Sequence, residues 1–253
     1  MRTQRIDLIE KYIIQQKSVT LDDLCDKFQV SKNTIRRDID TLVKKGAIKK
    51  VYGGVTVAEQ SPLIPKLIPY EERHITLPDE KDRICQSAAQ YVKDGDIIYI
   101  DTGTTCLNLI DYIADKVCTI LTNSLQVCLK AVPYPNLNVI SLPGKLKRET
   151  LSYVGSEIVD YLKTYNISKA FMACSGVTIE NGLTNATTEE YIIKKAVIEN
   201  SSQTFLLADH TKFGQFALMT YCPLNEIGCI ITDTALPKEY MEYCQEYKIE
   251  TVY

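Results

Sequence analysis

The sequence predicts an α/β protein in two parts. A winged helix-turn-helix domain at residues 1–57 is joined by a connector at 58–77 to a larger α/β domain at 78–253 with a mainly parallel sheet. Three observations carry that expectation. The first 55 residues hold 12 Lys/Arg against 7 Asp/Glu and the remainder 17 against 25, so a cationic head is attached to an acidic body. Apolar residues recur at helical spacing three times before residue 46. Beyond residue 78, helical patterns alternate with short apolar runs, as they do where parallel strands are covered by helices.

In the head, Ile6, Ile9 and Ile13, flanked by Leu8 and Tyr12, form the stripe of a first helix. Thr20 is placed to cap a second helix carrying Leu21, Leu24 and Phe28. Gln29, Val30 and Ser31 form a tight break, and Ser31 can cap a third helix that Gly46 ends. Along that helix Ile35, Ile39 and Leu42 share one face. Asn33, Arg37, Asp40 and Lys44 fall on the opposite one, with Arg36 to the side. Residues 47–51 read as a strand and Gly53-Gly54 as the turn of a β-wing bearing Lys49, Lys50 and Tyr52. This pattern suits double-stranded DNA. The outer face can enter the major groove, where Asn33 and Arg37 have donors and acceptors for base edges, while Lys32, Arg36 and Lys44 suit phosphates. Lys50 and Tyr52 would touch the backbone or minor groove. The alternative is a three-helix adaptor that binds a protein, which a steep salt dependence of binding would exclude.

Residues 56–80 carry four of the nine prolines, at 62, 65, 69 and 78, and read as a semi-rigid connector. After it the periodicity predicts helices at 78–92, from the Asp101–Thr105 turn to about 114, and at 124–132, 156–165, 188–200 and 237–247. Strands are expected at 97–100, 118–121, 137–142, 170–173, 204–208, 229–232 and 250–252. Ligands of open α/β sheets bind beyond the carboxyl ends of the strands. Those ends gather Asp101, Gly103, Thr104 and Thr105; Thr122 and Asn123; Gly144 and Lys145; Ser175 and Gly176; and Asp209 and Lys212. Hydroxyls at a helix start and a lysine suit a phosphate, while carboxylates and Asn123 suit sugar hydroxyls. No Walker-type phosphate loop occurs.

Two stretches of the head carry a resemblance. Leu21-x-x-Leu24, Val30-Ser31-x-x-Thr34-Ile35-Arg36-Arg37-Asp38-Ile39-x-x-Leu42-x-x-x-Gly46 and Ile48-x-Lys50-x-Tyr52-Gly53-Gly54-Val55 resemble the head of the DeoR/GlpR family of bacterial transcription regulators. Lys50, Tyr52 and Val55 stand where that family usually has Arg, His and Ala. In the body, Tyr70-Glu71-Glu72-Arg73 with Glu80-Lys81, Asp101-x-Gly103-Thr104-Thr105, Thr122-Asn123-Ser124, Gly182-Leu183-Thr184, Glu189/Glu190 with Lys194, and Asp209-x-x-Lys212-Phe213 are similar to that family's sensor domain. Pro143 and Thr178 depart from it. The resemblance adds Thr34 to the DNA-contacting set and Glu189 to the effector set. It implies a fold like that of ribose-5-phosphate isomerase, a phosphorylated sugar or related metabolite as effector, and a homodimer or homotetramer. It also implies a repressor of a carbohydrate-use operon.

The rival reading is an isomerase-like enzyme on the same fold, with Asp101, Glu189, Glu190, Asp209 or His210 as the base. Thr178 offers no basic group, and such enzymes do not ordinarily carry a helix-turn-helix. The nine cysteines lie at least seven residues apart, which excludes paired zinc knuckles and predicts buried thiols in a reducing cytoplasm. No metal or cofactor is expected. The longest uncharged stretch, Ala131 to Gly144, is too short and polar to span a bilayer, and the charged N-terminus lacks the apolar core of a secretory signal.

Overall fold

A computed structural model of the chain describes residues 2–16, 18–44, 48–51, 53–57 and 68–253. It divides into two compact units, Met1–Leu63 and Ile64–Tyr253.

In the first unit, α1 (Arg2–Gln16) is followed by β1 (Ser18–Thr20), α2 (Leu21–Phe28), α3 (Lys32–Lys44), β2 (Ile48–Val51) and β3 (Gly54–Val57). Thr20 caps α2 as expected. Its hydroxyl accepts from Asp23 N–H, and the Asp23 carboxylate accepts in return from Thr20 N–H, closing a capping box. Gln29 ends α2 in the left-handed region at φ 51°, which turns the chain sharply into α3. There the Ser31 hydroxyl accepts from Thr34 N–H at 3.4 Å. Ile35, Ile39 and Leu42 are fully buried against Ile6, Ile9, Ile13 and Leu24. Each such burial contributes about 1.5–3 kcal/mol. Leu8 points outward.

A third strand was not foreseen. β1 pairs antiparallel with β3, giving the order β1-β3-β2. Three residues are too few for alternation to register, and only Val19 is buried. This pairing explains one of the wing glycines. A Cβ on Gly54 would lie 2.3 Å from the Val19 carbonyl oxygen, whereas Gly53, at φ +79°, has open space around it. Gly46, Ala47 and Tyr52 lie outside the described residues.

The second unit opens with a helix that the sequence did not announce, α4 (Tyr70–His74). Tyr70 is buried, so these residues, expected in the connector, are part of the body. Then come α5 (Pro78–Ala89), β4 (Ile97–Ile100), α6 (Leu109–Tyr112), β5 (Cys118–Thr122), α7 (Leu125–Ala131) and β6 (Leu137–Ser141). A hairpin that the sequence did not announce, β7 (Lys145–Lys147) and β8 (Ser152–Val154), follows Gly144. It is followed by α8 (Glu157–Leu162), β9 (Ile167–Met172), β10 (Gly176–Thr178), β11 (Gly182–Asn185) and α9 (Thr188–Glu199). The chain finishes with β12 (Ser201–Leu207), β13 (Met219–Cys222), β14 (Cys229–Ile231), α10 (Lys238–Tyr247) and β15 (Glu250–Val252).

Seven strands form one parallel sheet in the order β15-β14-β12-β9-β4-β5-β6, with an apolar cluster on each face. The chain runs outward from β4 through β5 to β6, and outward the other way from β9 through β12 to β14 and β15. The order therefore reverses between β4 and β9, where such sheets leave a crevice. A small antiparallel sheet, β10-β11-β13, adjoins it. The helix expected from the Asp101–Thr105 turn to residue 114 is reduced to one turn. Residues 103–108 form successive tight turns, with Cys106 N–H on Gly103 O at 3.0 Å and Leu109 N–H on Cys106 O at 3.2 Å. Three threonines at 102, 104 and 105 disfavour a regular helix there. No helix among the described residues is long and apolar enough to cross a membrane.

Gly54→Ala should destabilise the first unit by about 1–3 kcal/mol, while Gly53→Asn, whose left-handed backbone asparagine tolerates, should be close to neutral. Denaturant unfolding of both full-length variants checks the contrast, and equal effects would mean that β1 does not press on the wing.

Candidate functional site

The outer face of α3 exposes Lys32, Asn33, Arg36, Arg37 and Asp40. Two of the cations around it are held in place from within the unit. Lys32 Nζ pairs with Asp22 of α2 at 2.5 Å, and Lys50 Nζ of the wing pairs with Asp40 at 2.5 Å. Thr34 is half-buried, and its hydroxyl lies 3.0 Å from that of Ser31, so it serves the start of the helix. The side chain of Lys44 and the whole of Tyr52 lie outside the described residues. Asp38, in the middle of α3, is buried and accepts from Arg5 Nε at 2.8 Å, which ties α3 to α1 behind the exposed face. Asn33, Arg36 and Arg37 thus stand clear on a helix held from three sides, as a major-groove reader requires.

In the second unit the crevice between β4 and β9 opens into a cavity of about 170 Å³. Of the residues expected there, Gly103, Thr104, Thr105, Ser175, Asp209 and Lys212 line it. Gly103 is dictated by proximity, because a Cβ on it would lie 2.2 Å from the Ala173 Cβ at the end of β9. Asp101 lies beneath. One of its carboxylate oxygens accepts from Ala173 N–H at 2.8 Å and from the Lys194 ammonium, which also donates to the Ala173 carbonyl at 2.8 Å and sits over the Tyr221 ring. Both charges are nearly solvent-free, 1% and 7% exposed. Asp101 therefore fastens β4, β9 and α9 together beneath the cavity.

Other expected residues are used elsewhere. Thr122 donates to Ile100 O at 2.7 Å, and Asn123 accepts from Tyr99 Oη and donates to Tyr153 O, so neither side chain is left for a sugar. Gly144, at φ +138°, admits the hairpin, where a Cβ would lie 2.8 Å from Val154 O. Lys145 is exposed on β7 and does not line the cavity. Gly176 allows the 215–216 backbone to pass, since a Cβ would lie 2.4 Å from Gln215 O. Glu189 points outward to Lys147, 3.3 Å away. Its neighbour Glu190, about 100° round the helix, lines the cavity instead, and its carboxylate accepts from the Thr187 hydroxyl at 3.0 Å. His210 is half exposed and bound to Asp233 at 2.7 Å, outside the cavity lining.

Sequence reasoning missed the other wall. Ile68, Arg73 and Thr76, around α4, and Lys81 of α5 line the cavity. Lys81 is buried, and its ammonium donates to the Arg73 carbonyl. Burial pulls its pKa down to about 8; the Asp209 carboxylate opposes that shift, and Lys212 and Arg73 add to it. The signal lay in the Tyr70–Arg73 and Lys81 segment, but periodicity does not reveal that a connector folds back over a sheet. Cys174, also in the lining, has its thiol pushed up to about 12 by burial, which leaves it unreactive as a nucleophile. Arg73, Lys81 and Lys212 thus face two threonine hydroxyls and the carboxylates of Glu190 and Asp209. This combination can hold an anion at one end and hydroxyl groups at the other. Among the described residues no group of His, Cys, Asp and Glu is placed to hold a metal ion.

Comparison with known proteins agrees with both units. The profile of the DeoR-like helix-turn-helix domain matches residues 5–61, and that of the DeoR C-terminal sensor domain matches residues 77–234. The chain is 45% identical over 250 residues to the HTH-type transcriptional regulator IolR of Bacillus subtilis, covering 98% of each chain. It is 27% identical to the glycerol-3-phosphate regulon repressor of Escherichia coli, again over 98% of each. Among solved structures, a ribose 5-phosphate isomerase A from Methanocaldococcus jannaschii aligns over 54% of both chains with 19% identity and a TM-score of 0.40.

Removing the charge of Asp101 tests the floor of the cavity. Asp101→Asn leaves the buried Lys194 ammonium without its counter-charge and should cost on the order of 3–5 kcal/mol in denaturant unfolding. A loss below about 1 kcal/mol would mean that the pair is solvated.

Proposed function

This chain belongs to the DeoR family of transcription regulators, and from that premise we propose that it is a repressor of a carbohydrate-use operon released by a phosphorylated sugar or related metabolite. Its first unit reads operator DNA. Arg37 and Asn33 meet base edges, Lys32 and Arg36 meet phosphates, and Lys50 extends the contact through the wing. Its second unit holds the effector at the crevice between β4 and β9. The observation that carries this reading is the cavity itself, where Arg73, Lys81 and Lys212 converge with Thr104, Thr105 and two carboxylates. The phosphate lies against the cations and threonine hydroxyls, and Glu190 and Asp209 accept from the sugar hydroxyls. Membership of a family of regulators decides against the isomerase alternative, and His210 lies outside the cavity lining.

A regulator of this kind acts in the cytoplasm, where its DNA lies and its nine free cysteines stay reduced. It works as a homodimer or homotetramer, since helix-turn-helix units read paired half-sites. The effector must bind the DNA-competent and the released arrangements with different affinity, or it could not shift the balance between them.

Arg37→Ala should abolish operator binding in an electrophoretic shift with the second unit still folded; unchanged affinity would remove α3 as the reader. For the cavity, the expected outcome is a raised melting temperature with one or more members of a sugar-phosphate panel, lost in Lys212→Ala and in Thr104→Ala. From about pH 7, where a sugar phosphate is mostly dianionic, to about pH 8 the affinity of that ligand should be level, and above that it should fall by up to about tenfold per pH unit. Above that pH the free protein has lost the Lys81 proton that an anion needs, so binding must take one up. Calorimetry in two buffers at pH 8 should record the uptake, and an affinity that rises above pH 8 would place the anion away from Lys81.

A further inference from the structure

Residues 68–77 lie between two hollows of the second unit. Ile68, Arg73 and Thr76 face the 170 Å³ cavity, while His74, Ile75 and Pro78 face a separate one of about 450 Å³. Lys81 and Thr104 border both. The segment is a strap with few ties to the body. Tyr70 is buried and its N–H donates to Glu149 O at 2.9 Å. Lys81 donates to the Arg73 carbonyl, and the Thr104 hydroxyl lies 3.5 Å from the same oxygen. Arg73 Nε turns back onto Ile68 O within the strap. At the joint with α5, Leu77 sits at φ +51°, a left-handed conformation that costs a leucine energy.

Charge opposes these ties. Arg73 on the strap shares its cavity with Lys81 and Lys212 on the body, and the two carboxylates there, Glu190 and Asp209, offset only part of the positive charge. Among the described residues neither Arg73 nor Lys81 has a carboxylate within 4 Å, and Asp209 is only at 4.0 Å from Lys212. Like charges in a partly dehydrated pocket repel more strongly than in water. We propose that the strap is an anion-dependent clamp: an anion in the cavity turns the repulsion among Arg73, Lys81 and Lys212 into shared attraction and locks residues 68–77 onto the body. Lys81 has three N–H donors, so it can keep the Arg73 carbonyl while also donating to the anion. This rests on the effector reading above and adds how occupancy leaves the cavity. The strap continues in the chain toward the first unit, so clamping it fixes the point from which that unit is tethered.

Amide hydrogen exchange on the full chain tests this, with inorganic phosphate against chloride at equal ionic strength. The expected result is that the amides of Arg73, Ile75 and Thr76 slow by about tenfold together with those of the 103–109 turns. In Arg73→Gln, which keeps Lys81, Lys212 and Thr104, the strap should not slow even when phosphate is raised until the turns slow as they do in the unaltered chain. Slowing of the turns alone in the unaltered chain overturns the clamp and leaves the effector site standing. No slowing in either segment, with sugar phosphates equally silent, overturns the site and the clamp together. A strap that slows just as much in Arg73→Gln removes the charge mechanism.

Discussion

Lys194 and Asp101 meet beneath the reversal point of the central sheet, and the cavity above depends on that meeting. The lysine comes from α9, the aspartate from the end of β4, and both bond to Ala173 at the end of β9. Three elements distant in sequence are held to a common height by one ion pair that also satisfies a backbone N–H and a carbonyl. An ion pair sequestered from water adds little net stability, but losing one partner is costly, so it specifies geometry more than it strengthens the fold. Within that geometry Gly103 packs closely on Ala173, and the threonines that follow line the cavity.

Above the pair the charges are arranged differently. Those on the floor are matched in direct contact, whereas in the lining three cations outnumber the carboxylates of Glu190 and Asp209, and burial lowers the pKa of Lys81. Unmatched cations around a small cavity favour an anionic guest, because binding supplies the charge that the protein withholds. The first unit shows the same division on a smaller scale. Asp38 is buried against Arg5 to seat the helix, while Arg36 and Arg37 remain exposed to a polyanion.

Much of this was legible along the chain. The three head helices, the Thr20 cap and the seven strands of the main sheet follow from periodicity, turn residues and capping chemistry, which are local. The errors cluster where local signals are short or misleading. β1 has three residues, the hairpin β7–β8 was masked by its lysines, and the threonines after Asp101 broke a helix that spacing alone would extend. Of the candidate ligand residues, Gly103, Thr104, Thr105 and Ser175 beside the reversal point, together with Asp209 and Lys212 after β12, line the cavity. Thr122 and Asn123, one strand away, are consumed by hydrogen bonds within the fold.

The order of residues alone therefore determined the class of both units, the face of α3 that meets solvent, and the edge of the sheet where the cavity opens. Each of these depends on periods of a few residues and on the handedness of short connections. Which side chains enter the cavity was decided only when the chain folded. Glu190 and Glu189 are adjacent and chemically alike, yet the rotation of about 100° between neighbours on a helix sends one into the cavity and the other to Lys147. Arg73 and Lys81 reach Lys212 across some 130 positions because a segment that reads as connector folds back over the sheet. Contacts at that separation arise from packing and from the long-range pull of charge, and neither leaves a mark in the local pattern of residues.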